Sequence, residues 1–166
     1  MDANAKKTAL RMITYGLYVL TTAQDEHVAA ATVNWVTQAS FEPPLVVVGV
    51  KADSHGYALI KASRVFALNV LGKDQGPMAF AFFKPAQREG QTISGEPFRT
   101  GTTGAPLLER ARAFVECAVT EIIEGGDHAI VVGRVVDAGL ATPPAGRPDD
   151  ATLWLRDLGE KVFYGG

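Results

Sequence analysis

Ala30-Ala31-Thr32-Val33-Asn34-Trp35-Val36-Thr37-Gln38-Ala39-Ser40-Phe41-Glu42-Pro43-Pro44 runs straight into the apolar Leu45-Val46-Val47-Val48-Gly49-Val50. The first run reads as the body of a long strand, Val28 to Gln38. Proline lacks a backbone N–H and restricts the residue before it, so Pro43-Pro44 ends one element before Leu45 to Lys51 begins the next. Thr32, Asn34, Thr37, Gln38 and Ser40 place small polar groups beside an apolar strand. Buried polar groups require partners. These side chains therefore either satisfy one another in a core or face a polar ligand.

Working outward, residues 4–13 read as a short helix with Asn4 as its cap. Leu17 to Thr22 reads as a strand, and Gln24 to His27 as a polar turn. After Lys51, Asp53 or Ser54 can cap a helix that runs to about Ser63. Val65 to Leu71 is a strand. Asp74 opens a helix through Phe83, with Pro77 tolerated in its first turn. Residues 84–106 read as irregular, longer than the common loop range, so as a functional excursion or a partly structured segment. Residues 111–124 alternate, with Val115, Cys117, Val119 and Ile123 on one side and Glu116, Thr120 and Glu124 on the other. Gly125-Gly126-Asp127 is a turn, and His128 to Leu140 returns as the second arm of a hairpin. A Pro-rich loop over 142–152 and a short apolar tail with Trp154 and Tyr164 follow. Six strands with short helices that do not alternate with them favour an antiparallel barrel over a doubly wound parallel sheet.

The 166 residues suit a single domain, 1–166, large enough to bury a core without disulfides or a structural metal. Sixteen basic against eighteen acidic residues leave a net charge of −2. That balance offers no basic footprint for nucleic acid and no electrostatic attraction to anionic membrane. A lone cysteine, Cys117, allows no internal disulfide and fits a reducing cytoplasm. It lies on the apolar side of its strand and reads as core. No signal peptide or membrane span is expected. Three scattered histidines, His27, His55 and His128, make a metal site unexpected. Glycine-rich phosphate loops and a nucleophile elbow are missing, and Gly101-Thr102-Thr103-Gly104 is too short to count as one.

Six blocks in order carry a resemblance. They are Thr14-Tyr-Gly-Leu-Tyr-Val-Leu-Thr21, Thr32 to Pro44, Lys51-Ala-Asp-Ser-His-Gly-Tyr57, Phe66-Ala-Leu-Asn-Val-Leu71, Gln75 to Phe83-Lys84, and Gly126-Asp127-His128. Together, over roughly residues 8–140, they resemble the flavin reductase-like family of FMN-binding split barrels. The resemblance implies a mostly β fold, a six-stranded antiparallel split barrel with short helices. It implies NAD(P)H-dependent reduction of flavin, with FMN bound (FAD possible), in a homodimer that passes reduced flavin or electrons to a partner oxygenase or other acceptor. Two other outcomes stay open: a flavoredoxin-like electron-transfer flavoprotein, and a non-enzymatic flavin- or haem-binding module.

On that resemblance, Thr32, Val33, Asn34 and Trp35 contact the flavin ring. The phosphate needs donors and positive charge, which a helix N-terminus supplies. Ser54 stands at one, with Lys51 and His55 beside it. Ser40, Tyr57, Phe83 and Lys84 are further cofactor-side candidates. Gly56 replaces a common Thr of the family, removing one hydroxyl, and Asp53 would repel a phosphate if it faced it. Asp127 and His128 are the nicotinamide-side candidates, against the plainer reading of a hairpin turn and a strand residue. Tyr15 and Tyr164 are possible ring neighbours. No acid or base is required for hydride transfer itself, because the cofactor carries that chemistry.

Overall fold

The computed structural model describes residues 1–165. It contains α1 (Ala3–Arg11), β1 (Tyr18–Gln24), β2 (His27–Val33), β3 (Val36–Ser40), β4 (Leu45–Lys51), α2 (His55–Ser63), β5 (Val65–Val70) and α3 (Gly76–Ala81). Four short strands follow: β6 (Arg88–Glu89), β7 (Thr92–Ile93), β8 (Glu96–Thr100) and β9 (Pro106–Leu108). The long hairpin β10 (Ala113–Ile123) and β11 (His128–Leu140) precedes two 3-10 turns, Pro148–Ala151 and Leu155–Leu158.

The mostly β class holds, but the main sheet has seven strands rather than six, in the order β2-β1-β5-β10-β11-β4-β3. The expected strand Val28 to Gln38 breaks at Asn34-Trp35. There Val36 N–H donates to the Asn34 carbonyl at 3.0 Å, and Gly49 N–H donates to the Trp35 carbonyl at 2.9 Å. The break sends β2 to one edge of the sheet and β3 to the other, so the ladder does not close on itself by strand pairing. Residues 88–108 form a second, four-stranded sheet, β6-β7-β8-β9, so the stretch 84–106 is the partly structured segment of the two alternatives.

The central strands are buried on both faces. In β1, Val19 belongs to a cluster with Leu71, Met78, Phe82, Phe98 and Leu153, whereas Leu20 belongs to one with Val48, Ile60, Phe66, Cys117 and Val131. The second cluster fills the inside of the curled sheet beneath α2; the first lies between the sheet, α3 and the small sheet. Such double burial explains why β1 and β5 place apolar residues on both faces instead of alternating with polar ones. Asn69 is the polar exception within β5. Its Nδ2 donates to the Val19 carbonyl and to Thr21 Oγ1, each at 3.0 Å, and its Oδ1 accepts from Leu108 N–H at 2.8 Å. One side chain thereby ties β1, β5 and β9 together.

Glu116 departs from the expected solvent face. It is fully buried, and its carboxylate accepts from Thr102 N–H (3.0 Å), Thr103 N–H (2.8 Å) and Thr103 Oγ1 (2.6 Å). The strand face opposite Cys117, where Glu116 pairs with Ala67 of β5, is covered by the 101–105 segment rather than by solvent. The Gly101–Gly104 segment is thus a structural cradle for a carboxylate. Asp2 rather than Asn4 caps α1, and of the two caps expected for α2 it is Ser54 that serves. Asp74 does not cap α3, which is preceded by Gln75; it pairs with Arg112 instead. No helix among the described residues is long and apolar enough to cross a membrane.

Candidate active site

A cavity of about 640 Å³ opens where β2 leaves the sheet edge, β4 ends and α2 begins. That volume lies within the usual range for cofactor sites. One wall is Ala29 to Asn34, the opposite wall Gly49 to Lys51, and the end Ser54 to Gly56. Phe82 and Phe83 after α3, His128 at the start of β11, and the late segment Val162–Tyr164 complete it. Most of the lining is apolar, and among the described residues Lys51 is its one fully charged member.

The anion-suited end follows from local chemistry. Ser54 sits in extended conformation, and its Oγ accepts from Tyr57 N–H at 3.1 Å. His55 and Gly56, whose first-turn N–H groups have no intrahelical acceptor, line the cavity. Lys51 adds positive charge from the end of β4. Asp53 does not face the cavity; it pairs with Lys51 at 3.1 Å on the exposed side. Gly56 leaves real space. A Cβ built there would meet only Ala29 Cβ at 3.7 Å and Ser54 Oγ at 4.0 Å, both ordinary contacts.

The polar strand behaves differently from its sequence reading. Thr32 lines the cavity, but both its donors are committed to the α3 region: Oγ1 to the Ala79 carbonyl at 2.7 Å, N–H to the Phe82 carbonyl at 3.1 Å. Its role is to fix the Phe82-Phe83 wall. Asn34 is buried and lines the cavity, with its Nδ2 making a long 3.4 Å contact to the Tyr164 carbonyl. Val33 contributes apolar surface.

Trp35 lies behind the lining rather than in it. Its ring packs over Gly49, where a Cβ would come within 3.1 Å of the indole, so only glycine permits this approach without a shift. Its centroid is 4.6 Å from that of His128 and 5.2 Å from that of Tyr164. The Trp35 indole N–H is buried without a hydrogen-bond partner among the described residues.

His128 enters because β11 pairs antiparallel with β4, setting His128 opposite Lys51. Its Nδ1 is 3.0 Å from Asp127 Oδ1 and its Nε2 2.7 Å from Tyr164 Oη. The hydrogen bond from His128 holds the exposed Asp127 carboxyl below its ordinary range. Burial, above all, raises the Tyr164 phenol above its ordinary value.

The fold therefore gathers Thr32, Val33, Asn34, Lys51, Ser54, His55, Phe83 and His128 around one cavity. Trp35 and Asp127 support it from behind. Ser40, Tyr57 and Lys84 lie outside its lining. Ser40 is at the far end of β3, opposite Leu45. Tyr57 points away from the cavity, with its hydroxyl bonded to Glu124. Lys84 is exposed beyond Phe83. Tyr15 does not line the cavity either; its carbonyl accepts from Leu155 N–H. Val162 and Phe163 escaped the sequence reading, because nothing local signals a contact with residues so distant in sequence. Among the described residues, no group of three or more His, Cys, Asp or Glu side chains is arranged to hold a metal.

Residues 10–157 match the model of the flavin reductase like domain. Diflavin flavoprotein A 1 of Synechocystis is 32% identical over 142 residues, 85% of this chain but only 25% of that protein's length. The reductase subunit HsaB of a flavin-dependent monooxygenase from Mycobacterium tuberculosis is 29% identical over 157 residues, 95% of this chain and 81% of its own. Among solved structures, the NADH:FAD oxidoreductase SgcE6 of Streptomyces globisporus superposes with a TM-score of 0.68 at 31% identity, covering 77% of this chain and 76% of that one. With the match extending over nearly the whole length, from the end of α1 to the second 3-10 turn, the chain belongs to the flavin reductase like domain family.

Proposed function

We propose that this chain reduces flavin with a nicotinamide dinucleotide and supplies the reduced flavin to a partner oxygenase. The observation that carries this reading is a single cavity with an anion-suited end at Ser54–Gly56 and an apolar body, flanked by His128. The residues fit a flavin mononucleotide in kind. The free N–H groups of His55 and Gly56, the Ser54 hydroxyl and Lys51 would hold the phosphate. Val33, Asn34, Phe82 and Phe83 would flank the ring. A bound flavin supplies the hydride-accepting chemistry. The protein's part is to exclude water with the apolar wall, to orient the ring through Asn34 and the wall that Thr32 fixes, and to present His128 to the nicotinamide.

The relatives' names support the class. HsaB is a reductase subunit of a monooxygenase, and SgcE6 is named for NADH and FAD. FMN is the cofactor we favour, because the phosphate end is built on one helix terminus, with FAD as the alternative. A homodimer is part of the proposal, since β11 exposes three large apolar side chains, Ile130, Val136 and Leu140. A cytoplasmic setting fits the free Cys117. The likeness to a diflavin flavoprotein favours a second reading, a domain that retains its flavin and passes electrons on.

The test is a visible spectrum after FMN addition and desalting, followed by anaerobic NADH or NADPH, with turnover measured on free FMN and FAD. Bleaching or turnover with either nucleotide supports the reductase. Retained flavin that neither nucleotide bleaches moves the conclusion to the electron carrier. The absence of both retained flavin and turnover overturns both readings.

A further inference from the structure

His128 is held at both ring nitrogens, and one of the two partners comes from a segment 36 residues away. That segment, 162–165, has no strand or helix of its own. Arg11 steadies it, donating from Nε to the Gly165 carbonyl at 3.2 Å and placing its guanidinium 4.4 Å from the Phe163 ring centre. Tyr164 then stands against Trp35 and His128, with its centroid 5.9 Å from that of the imidazole.

We propose that Tyr164 is a positioning residue, which fixes the plane and the proton arrangement of His128 on the nicotinamide side of the cavity. The inference rests on the reading of His128 as the residue that meets the nicotinamide. Its basis is the hydrogen-bond chain Asp127–His128–Tyr164. An ionised Asp127 carboxylate can only accept, so Nδ1 must carry a proton to bond to it. In the neutral imidazole Nε2 is then the acceptor, and the Tyr164 hydroxyl donates to it. Burial of the phenol favours its protonated form, consistent with a donor. The side chain of His128 is only 14% exposed, so its ring has little freedom once both nitrogens are engaged. Protonation of the ring would make Nε2 a donor. The Tyr164 oxygen would then accept, and its own proton would turn elsewhere. The other charged groups acting on this corner are Lys51, opposite His128 on β4, and Asp53 after it.

The test uses the full chain with ¹⁵N-labelled histidine. Wild type should show His128 with Nδ1 protonated and Nε2 bare. Tyr164→Phe keeps the ring but removes the donor, and should shift His128 toward a mixture of tautomers. With flavin present, it should raise KM for the reduced nicotinamide several-fold, by a larger factor than it changes flavin Kd. In a His128→Asn background the same substitution should have no further effect on KM, because coupled residues are not additive. An unchanged His128 tautomer in Tyr164→Phe overturns the proposal, as does an equal effect of Tyr164→Phe with and without His128. Should the tautomer shift while His128→Asn leaves KM untouched, the positioning contact stands and the nicotinamide role of His128 falls.

Discussion

Ser54 offers the sharpest separation of folding from binding. Its Oγ caps α2 through Tyr57 N–H at 3.1 Å, and the same residue lines the cavity at its anion-suited end. Ser54→Ala removes the cap and should cost about 1 kcal/mol of stability. Ser54→Asp keeps a capping oxygen, and so should hold stability close to wild type, while adding a negative charge at the phosphate position. With that carboxylate about 5 Å from a phosphate oxygen and an effective dielectric of about 20, the repulsion is about 3 kcal/mol per pair of unit charges. That energy corresponds to a loss of roughly a hundredfold in affinity. Solvent at the cavity mouth screens part of it, so about tenfold is the smallest loss compatible with the geometry. The assay pairs urea unfolding with flavin fluorescence titration at fixed ionic strength. The two variants should rank oppositely: Ser54→Ala less stable but the better binder, Ser54→Asp stable but the poorer. If Ser54→Asp folds normally and binds FMN like wild type, the phosphate does not sit at this helix terminus.

Three further outcomes follow from the packing. Gly56→Thr should fold, because the space at Gly56 is open, and should tighten FMN binding several-fold by adding a hydroxyl at the first turn of α2; unchanged affinity in titration would place the phosphate elsewhere. Burial, with the Glu116 charge adding to it, pushes the Cys117 thiol up to about 12. It should not react with a thiol reagent at neutral pH until the protein unfolds, and urea melts should show stability, intact below pH 9, falling as pH rises from 9 toward 12. Glu116→Ala should destabilise the fold by about 2–3 kcal/mol in the same melts, because it strands the Thr102 and Thr103 N–H donors; a loss under about 0.5 kcal/mol would mean that other groups satisfy them.

Sequence pattern carried the elements whose signals are local. The apolar runs Leu17–Thr22, Leu45–Lys51 and Val65–Leu71 and the alternating arms of the last hairpin all appear as strands close to their expected limits. The cap at Ser54 and the turn before His128 were legible for the same reason, since each depends on a few neighbouring residues. The split of one long strand at Asn34-Trp35 was not. It depends on the indole lying over Gly49, a residue fourteen positions away whose missing side chain makes room. Glu116 has the period of an outward residue and keeps it, but the 101–104 cradle, distant from it in sequence, covers that face and buries it. The same distance rule governs the candidate site. Ser54, His55 and Gly56 declare themselves because a helix start presents free N–H groups wherever it occurs. Tyr57, one residue further, shares their segment yet turns away toward Glu124, because the tertiary packing of α2 decides which of its faces meets the cavity. Lys51 and His128 become neighbours through strand pairing, and Tyr164 reaches them only after the chain has passed round the sheet. Residue type and spacing determined which local elements form and which groups can hold an anion. Which of those groups share one cavity was decided by contacts between distant segments, whose energies reside in packing and hydrogen bonds that no short window of sequence contains.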